Sequence, residues 1–352
     1  MLTAIALVCP EPGRVEVRDL HLPEPGPGEA LVRVAGCGVC HTDISFYTGA
    51  VRTRHPLPLV LGHEISGVVV SAPGPFERLT GQPVVVPAVM PCGECELCRA
   101  GRDTACAKQL MPGNDIEGGF ASHVIVPARH LVRIGALPAT LALEELSVVA
   151  DAVTTPYQAL TRAGVAAGDL VVIVGVGGIG TFAVQIARAF GAQVAAIDIA
   201  ASRRDAAAQL GARWTFDPGT TDARAIKKQL LAEAGVPTVR WRVMEMSGTA
   251  RGQELAWTLL PPAGTLGVIG FTMDKPDIRL SNLMALDATA FGSWGCSPSL
   301  YPAAVDLVLN GAVTLQPFVR TYPLLDGAAV LEAAAQHRTD GRRPVLVPPA
   351  DV

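Results

Sequence analysis

Four cysteines in the run Cys92-Gly-Glu-Cys95-Glu-Leu-Cys98, closed by Cys106, have the spacing of a metal knot. Cysteines three positions apart let a tight loop turn successive thiolates toward one point. A fourth completes a tetrahedron with no open position, the donor set of a structural zinc. Four cysteines also hold iron–sulfur clusters, and buried thiols also serve as small core hydrophobes, so both stay open as alternatives. Two further strings come earlier: Gly38-Val39-Cys40-His41-Thr42-Asp43 and Gly62-His63-Glu64. A soft thiolate and an imidazole make a good zinc pair. Alone, each string is weak, since a lone His is more often structural; a four-cysteine lobe close by strengthens both.

A third feature is Gly175-Val176-Gly177-Gly178-Ile179-Gly180. It follows the continuous apolar run Leu170 to Val174 and precedes helical spacing over Thr181 to Phe190. In a strand–turn–helix context, glycines let the backbone approach a pyrophosphate, whose charge sits at the helix N-terminus. Asp198 ends the next predicted strand, Gln193 to Ile197, at about the ~20-residue spacing of a carboxylate that binds an adenosine ribose 2′-OH. Such a carboxylate repels a 2′-phosphate, so NAD is expected over NADP. Arg203 and Arg204 stand against that expectation, because an Arg can accept the phosphate.

The elements that must position these residues differ between the two parts of the chain. The first ~150 residues are rich in Pro, Gly and short alternating runs such as Ala30 to Val34 and Val68 to Val70, which predicts a turn-rich β domain. From about Ala152, apolar strands alternate with Ala-rich helical patterns: a helix over Ser202 to Leu210 and strands at Arg242 to Met244 and Thr265 to Ile269. That alternation predicts an α/β fold built on a doubly wound parallel sheet of the Rossmann kind. Near the end, a helix is expected at Tyr301 to Leu309 and a strand at Thr314 to Arg320.

Composition narrows the function classes. The 352 residues carry a net charge of −4, with Lys and Arg scattered, which excludes the electrostatic footprint of a nucleic-acid or anionic-membrane binder. Only 5% of residues are aromatic, so Ala, Val and Leu must do most of the packing. The uncharged stretch Leu170 to Ala187 is broken by four glycines and reads as strand, turn and buried helix, not as a membrane span. Met1 to Cys9 lacks the basic start of a secretory signal, so the expected address is the cytoplasm, where cysteines serve metals more often than disulfides.

Taken in order, the Cys40 string, Gly-His-Glu, the four-cysteine lobe and the glycine loop resemble the zinc-containing medium-chain dehydrogenase family over essentially the whole chain. The resemblance implies two zincs per chain and NAD, serving an alcohol dehydrogenase. It implies a β-rich GroES-like catalytic domain over 1–152 and 292–352, with the zinc lobe at 91–107, and an NAD-binding Rossmann domain over 153–291. It implies a catalytic zinc held by Cys40, His63 and one later residue, with water or substrate in the fourth position. Many relatives place a Cys before Thr-x-Tyr; here Asp151-Ala-Val-Thr-Thr-Pro-Tyr157 puts a carboxylate there. Asp151 is therefore the expected third ligand, with Glu64 the alternative and a helix-capping role for Asp151 the bland reading. Asp43 is implied to orient the His63 ring. Thr42 is implied to begin the proton relay, which many relatives continue through a His where this chain has Ser45; the relay then runs through Ser45, or through ribose hydroxyls and water. The resemblance also places His41 near the pyrophosphate and Arg203 at the ribose. Thr155, Ile269, Gly270, Phe271, Gly292, Ser293 and Trp294 fall around the nicotinamide, where plain strand packing is the competing reading.

Local strings carry a finer resemblance. Gly270-Phe-Thr-Met-Asp-Lys275, Arg279-Leu-Ser-Asn-Leu-Met-Ala285, Gly292-Ser-Trp-Gly-Cys296 and Gly49-Ala-Val-Arg-Thr-Arg-His55 look like 6-hydroxycyclohex-1-ene-1-carbonyl-CoA dehydrogenases. The implied substrate is a secondary, cyclic alcohol or ketone, with a CoA thioester as its specific form and Arg52, Arg54 and Lys108 as candidate phosphate contacts. Free cyclic or aliphatic alcohols are the alternative. A zinc-free enoyl or quinone reductase and a non-catalytic NAD-binding protein are the other classes, and neither needs an open metal site with a relay hydroxyl. Cys9, Cys37 and Cys296 are expected to be buried, and His123 and His130 to be structural residues of strand-like runs. Neither nucleic acid nor membrane is expected as a partner. A homo-oligomer, dimer or tetramer, is expected to pair through a sheet edge near Thr265 to Phe271.

Overall fold

The first of two units comprises the chain up to Thr154, Gly295–Leu309 and the residues from Leu315 onward; the second is Thr155–Trp294 with Asn310–Thr314. These boundaries come from a computed structural model, which describes residues 2–336 and 338–350.

Unit one is built on β-sheets. Its larger sheet runs Val319–Pro323, Arg343–Val347, Glu29–Gly38, Glu64–Ser71, Pro83–Val86, Val132–Arg133, with His123–Pro127 paired to Glu29–Gly38. A second sheet of three strands holds Arg14–Leu22, Leu2–Glu11 and Leu59–Val60. Inward-facing Val32, Val34, Ile65, Val69, Val84 and Val86 join Leu7, Phe120 and Leu346 in one apolar cluster. Each such side chain stabilises the fold by about 1.5–3 kcal/mol through burial. The register of the middle strands matters most for chemistry. Gly38 lies opposite both Glu64 and Val345. Cys40 therefore follows one strand, His63 precedes its neighbour, and Arg343 starts the strand on the other side.

Unit two holds six parallel strands: Leu170–Val174, Gln193–Ile197, Trp214–Phe216, Trp241–Glu245, Thr265–Val268 and Thr289–Gly292. Numbered in chain order within this unit, they lie 3-2-1-4-5-6, the doubly wound arrangement whose ligands bind at the carboxyl ends of the strands. Leu170–Val174 is buried along its whole length because it is a central strand with the helices Gly180–Ala189 and Ala250–Leu259 packed against it. The helices between strands are capped where the sequence supplies caps: Asp222 accepts from Ala225 N at 2.8 Å, and Thr249 accepts from Gly252 N at 3.0 Å.

Three local expectations are corrected. Thr314–Phe318 is coil and turn, and the strand is Val319–Pro323. Pro317 lacks a ladder donor there, and Thr314 is drawn instead to Gln185, whose Oε1 accepts from its N–H at 2.8 Å. His130 lies in a 3-10 turn, Ala128–His130, with its ring 2.8 Å from the Pro91 carbonyl. The edges of the parallel sheet are Thr289–Gly292 and Trp214–Phe216, and Thr265–Val268 is an interior strand. The uncharged stretch from Leu170 is a strand, a turn and the helix Gly180–Ala189, and among the described residues no helix is long and apolar enough to cross a membrane.

Candidate active site and metal centres

Cys92, Cys95, Cys98 and Cys106 converge on one point. Their sulfurs are 3.9 Å (92–98), 3.5 Å (95–98) and 3.7 Å (95–106) apart. Four ligands at about 2.3 Å from one metal in a tetrahedron are about 3.8 Å from each other, so the spacing fits zinc. Amides of Glu94 and Cys95 help pull the Cys92 thiol down to about 6, whereas desolvation and the neighbouring sulfurs push Cys98 up to about 12. Such a cluster ionises fully only around a cation.

The second cluster gathers Cys40, His63, Glu64 and Asp151, with one donor atom from each within 4.8 Å of the others. Cys40 Sγ is 3.5 Å from Asp151 Oδ2, and His63 Nε2 is 3.7 Å from the same oxygen. Those distances are compatible with donor atoms of mixed N, O and S type around one metal ion. Asp43 organises the approach. Its Oδ2 accepts from Cys40 N at 2.8 Å, and its Oδ1 accepts from Gly62 N at 3.2 Å and lies 3.0 Å from His63 Nδ1. The Nδ1–H is thereby held by the carboxylate, and Nε2 faces Cys40 and Asp151. Burial opposes charge on the His63 ring, yet Asp43, Asp151 and Cys40 outweigh it and hold its pKa well above the usual value. A divalent cation answers the same field.

Glu64 is engaged elsewhere. Its Oε1 accepts from Arg343 Nη1 at 2.7 Å and from Ala152 N at 3.2 Å, while Oε2 is buried without a partner among the described residues. A Cβ at Gly38 would lie 2.0 Å from that Oε2, so only glycine leaves room for the carboxylate. Burial pushes Glu64 up to about 7 even though Arg343 pulls the other way. Thr42 Oγ1 is 3.9 Å from Cys40 Sγ, beside the cluster. Ser45 Oγ donates to the His41 carbonyl at 3.0 Å, a bond made within its own helix, and His41 is exposed.

In unit two the glycine loop sits between its central strand and the helix Gly180–Ala189. Gly175 has φ +90°, and a Cβ there would meet Ser247 Cα at 2.5 Å. No side chain caps that helix at Ile179, so its first amides face the loop without a side-chain acceptor. Gly177 and Gly178 lie at the open side of the turn. Asp198 accepts from Val176 N at 3.0 Å and from Ala200 N at 2.9 Å, and it is only 6% exposed. Arg203 Nη1 is 3.6 Å from Asp198, and Arg204 pairs with Asp217 at 3.1 Å. Ile269 and Gly270 both donate their amides to the Glu245 carbonyl, and Phe271 is exposed just beyond them. Gln158 Nε2 reaches Ser293 Oγ at 3.4 Å and the Trp294 carbonyl at 3.2 Å, next to Gly292 at the end of the edge strand. Thr155 is buried near the start of the helix Thr154–Arg162.

The sequence profile of the alcohol dehydrogenase GroES-like domain matches residues 26–136, and that of the zinc-binding dehydrogenases matches 178–310. An alcohol dehydrogenase of Geobacillus stearothermophilus is 31% identical over 331 residues, 93% of this chain and 94% of the relative. The chain belongs to the zinc-binding alcohol dehydrogenase family. L-galactonate-5-dehydrogenase of Escherichia coli is 29% identical, covering 89% of this chain and 90% of its own. The crystal structure of the alcohol dehydrogenase from Aeropyrum pernix superposes with a TM-score of 0.86 at 28% identity, covering 98% of this chain and all of that one.

As a medium-chain oxidoreductase of this family, the protein has features that the sequence alone did not single out. Arg343 contacts Glu64 from 279 positions away, with no motif to announce it. Tyr301, fully buried, accepts from the amide of Ala88 and donates to the carbonyl of Ala150, next to Asp151. Cys9, Cys37 and Cys296 are buried, as expected of small hydrophobes, and His123 lies on a strand. Among the cations proposed for a CoA ester, Arg54 pairs with Asp115 at 3.2 Å and Lys108 lies 3.8 Å from Glu94. Arg52 is exposed with no carboxylate partner among the described residues.

Proposed function

We propose that this dehydrogenase oxidises a secondary alcohol, cyclic in its best substrate, to the ketone with NAD, using Cys40, His63 and Asp151 as ligands of a catalytic zinc and Cys92, Cys95, Cys98 and Cys106 as ligands of a structural one. The observation that carries the reading is the convergence of Cys40 Sγ, His63 Nε2 and Asp151 Oδ2, 3.5 and 3.7 Å apart, with Asp43 fixing the imidazole from behind. Zinc held by that set would supply a Lewis acid for the substrate oxygen, and the dinucleotide would supply the hydride acceptor.

The chain's own residues do the rest. Cys40 and Asp151 would bring two negative charges that neutralise the cation, and His63 brings none, its single ring N–H at Nδ1 donating to Asp43. Thr42, whose hydroxyl lies beside Cys40, takes the proton of the substrate hydroxyl and passes it toward solvent. Ser45 donates its hydroxyl proton to the His41 carbonyl, so in this reading the relay runs on from Thr42 through ribose hydroxyls and water. Asp151 is preferred to Glu64 as third ligand because Glu64 is already held by Arg343 and Ala152. Glycines 175, 177, 178 and 180 with Ile179 take the pyrophosphate, and Asp198 takes the ribose. Its negative charge disfavours a 2′-phosphate, and Arg204, though beside it, is engaged by Asp217 and by the carbonyls of Asp198 and Ile199. Arg203 remains beside the Asp198 carboxylate. His41, Thr155, Ile269, Gly270, Phe271, Gly292, Ser293 and Trp294 keep the pyrophosphate and nicotinamide roles implied by the resemblance. The catalytic part spans 1–152 and 292–352 in this reading, and the cofactor part 153–291. The protein is read as a cytoplasmic homo-oligomer.

The substrate test is a panel of a cyclic secondary alcohol, a linear one and a cyclic hydroxyacyl-CoA, each with NAD and NADP. The expected result is a higher kcat/KM for cyclic substrates with NAD. Replacing Arg52 raises KM for the thioester alone if CoA is recognised and changes neither substrate if it is not. Thr42→Ala lowers kcat by about 100-fold or more while zinc content and NAD affinity hold. Turnover near the wild-type rate in that variant contradicts the relay.

A further inference from the structure

Tyr301 begins the helix Tyr301–Leu309 and is fully buried. Its hydroxyl donates to the carbonyl of Ala150 and accepts from the amide of Ala88 at 3.0 Å. Thr154 Oγ1 donates to the same Ala150 carbonyl at 3.0 Å. The next residue is Asp151. It ends the 3-10 turn Glu145–Ala150 with φ −138° and ψ −56°, outside both helix and strand geometry. No repeating ladder therefore fixes the peptide that aims its carboxylate. Two hydroxyls on one carbonyl do so: the Ala150–Asp151 peptide plane sets the Cα–Cβ direction of Asp151. A Phe would fill the same apolar space, so the buried phenol oxygen is kept for its two bonds.

We propose that Tyr301 is a positioning residue for the metal site, holding the Ala150 carbonyl, and with Thr154 the peptide plane, in the one orientation that brings Asp151 Oδ2 to Cys40 and His63. This rests on the reading of Asp151 as a ligand. Burial pushes the phenol well above its usual pKa, which keeps it a donor over the working range. The effect passes through backbone to a carboxylate, with no contact to substrate.

The test uses cobalt in place of zinc in the full-length enzyme, because cobalt d–d absorption reports ligand geometry. Wild type, Tyr301→Phe, Thr154→Val and Asp151→Asn are compared for their spectra and for the rate at which a chelator removes each metal. Tyr301→Phe is expected to shift the catalytic cobalt bands and speed loss of that metal by roughly 10- to 100-fold, the range for supporting residues of metal sites. The metal of the four cysteines is expected to leave at the wild-type rate. Thr154→Val is expected to act in the same direction more weakly, and it carries the test alone if Tyr301→Phe does not fold. An unchanged spectrum in Asp151→Asn overturns the ligand reading. Altered bands in Asp151→Asn with wild-type bands in Tyr301→Phe and Thr154→Val overturn the positioning role alone. So does equal acceleration at both metals, which marks general loosening.

Discussion

Asp43 binds three donors with two oxygens: the amides of Cys40 and Gly62 and the ring of His63. One carboxylate thus orders both early ligands, which lie 23 positions apart in the chain. Asparagine in its place turns a donor toward Cys40 N or toward the amide and ring on the other side, where only acceptors fit. Asp43→Asn is expected to weaken metal affinity at the Cys40 cluster by roughly 10- to 100-fold, measured by chelator competition. The four-cysteine metal in the same molecule serves as the internal reference. Equal affinities for wild type and variant would show that His63 is oriented by something else. The carboxylate pair Asp151 and Glu64 makes a related point about residues. Both lie in reach of one point, and the partners of Glu64, Arg343 and Ala152, separate their roles.

At the scale of elements, the sequence was most legible where a function is packed into one short segment. The cysteines of the lobe lie within fifteen positions, and the glycine loop follows its own strand, so spacing alone carries the chemistry. Asp151 is different. It sits between a 3-10 turn and a helix, 111 positions from Cys40, and only family resemblance pointed to it. Arg343 and Tyr301 had no signal at all, because a strand and a helix from the C-terminal part bring them in by tertiary pairing. The misplaced sheet edge has a similar cause. Thr289–Gly292 has four residues and no alternating pattern, so nothing marked it as a strand until its pairing with Thr265–Val268 was seen.

The strand Trp241–Glu245 ends in a carboxyl with a pH consequence. Glu245 is fully buried, and burial raises its pKa from 4.5 despite bonds from Ser247 and Gly248. The folded state therefore holds the proton more tightly than the unfolded chain. Its contribution to stability is complete below pH 4.5 and is lost as pH rises through the raised value. Glu245→Gln is expected to flatten the pH dependence of urea midpoints across that window, and an unchanged slope would assign it to other groups.

At the scale of the molecule, each unit has its own apolar core. The second presents an unpaired strand edge at Thr289–Gly292, with Met273, Leu280 and Met284 exposed in the preceding segment. An open edge beside exposed apolar side chains is a liability that symmetric pairing removes. If the proposed homo-oligomer pairs through this edge, Ala290→Pro is expected to give monomer in size-exclusion chromatography with light scattering. An oligomer that survives the substitution is held elsewhere.

The most direct measurement of the central claim is zinc per chain, by elemental analysis of wild type and His63→Ala, alongside NAD affinity and alcohol oxidation. Two zincs are expected in the wild type and one in the variant, with NAD still bound and oxidation lost. Two zincs retained in His63→Ala, or only one in an active wild-type enzyme, would contradict a catalytic metal at Cys40, His63 and Asp151.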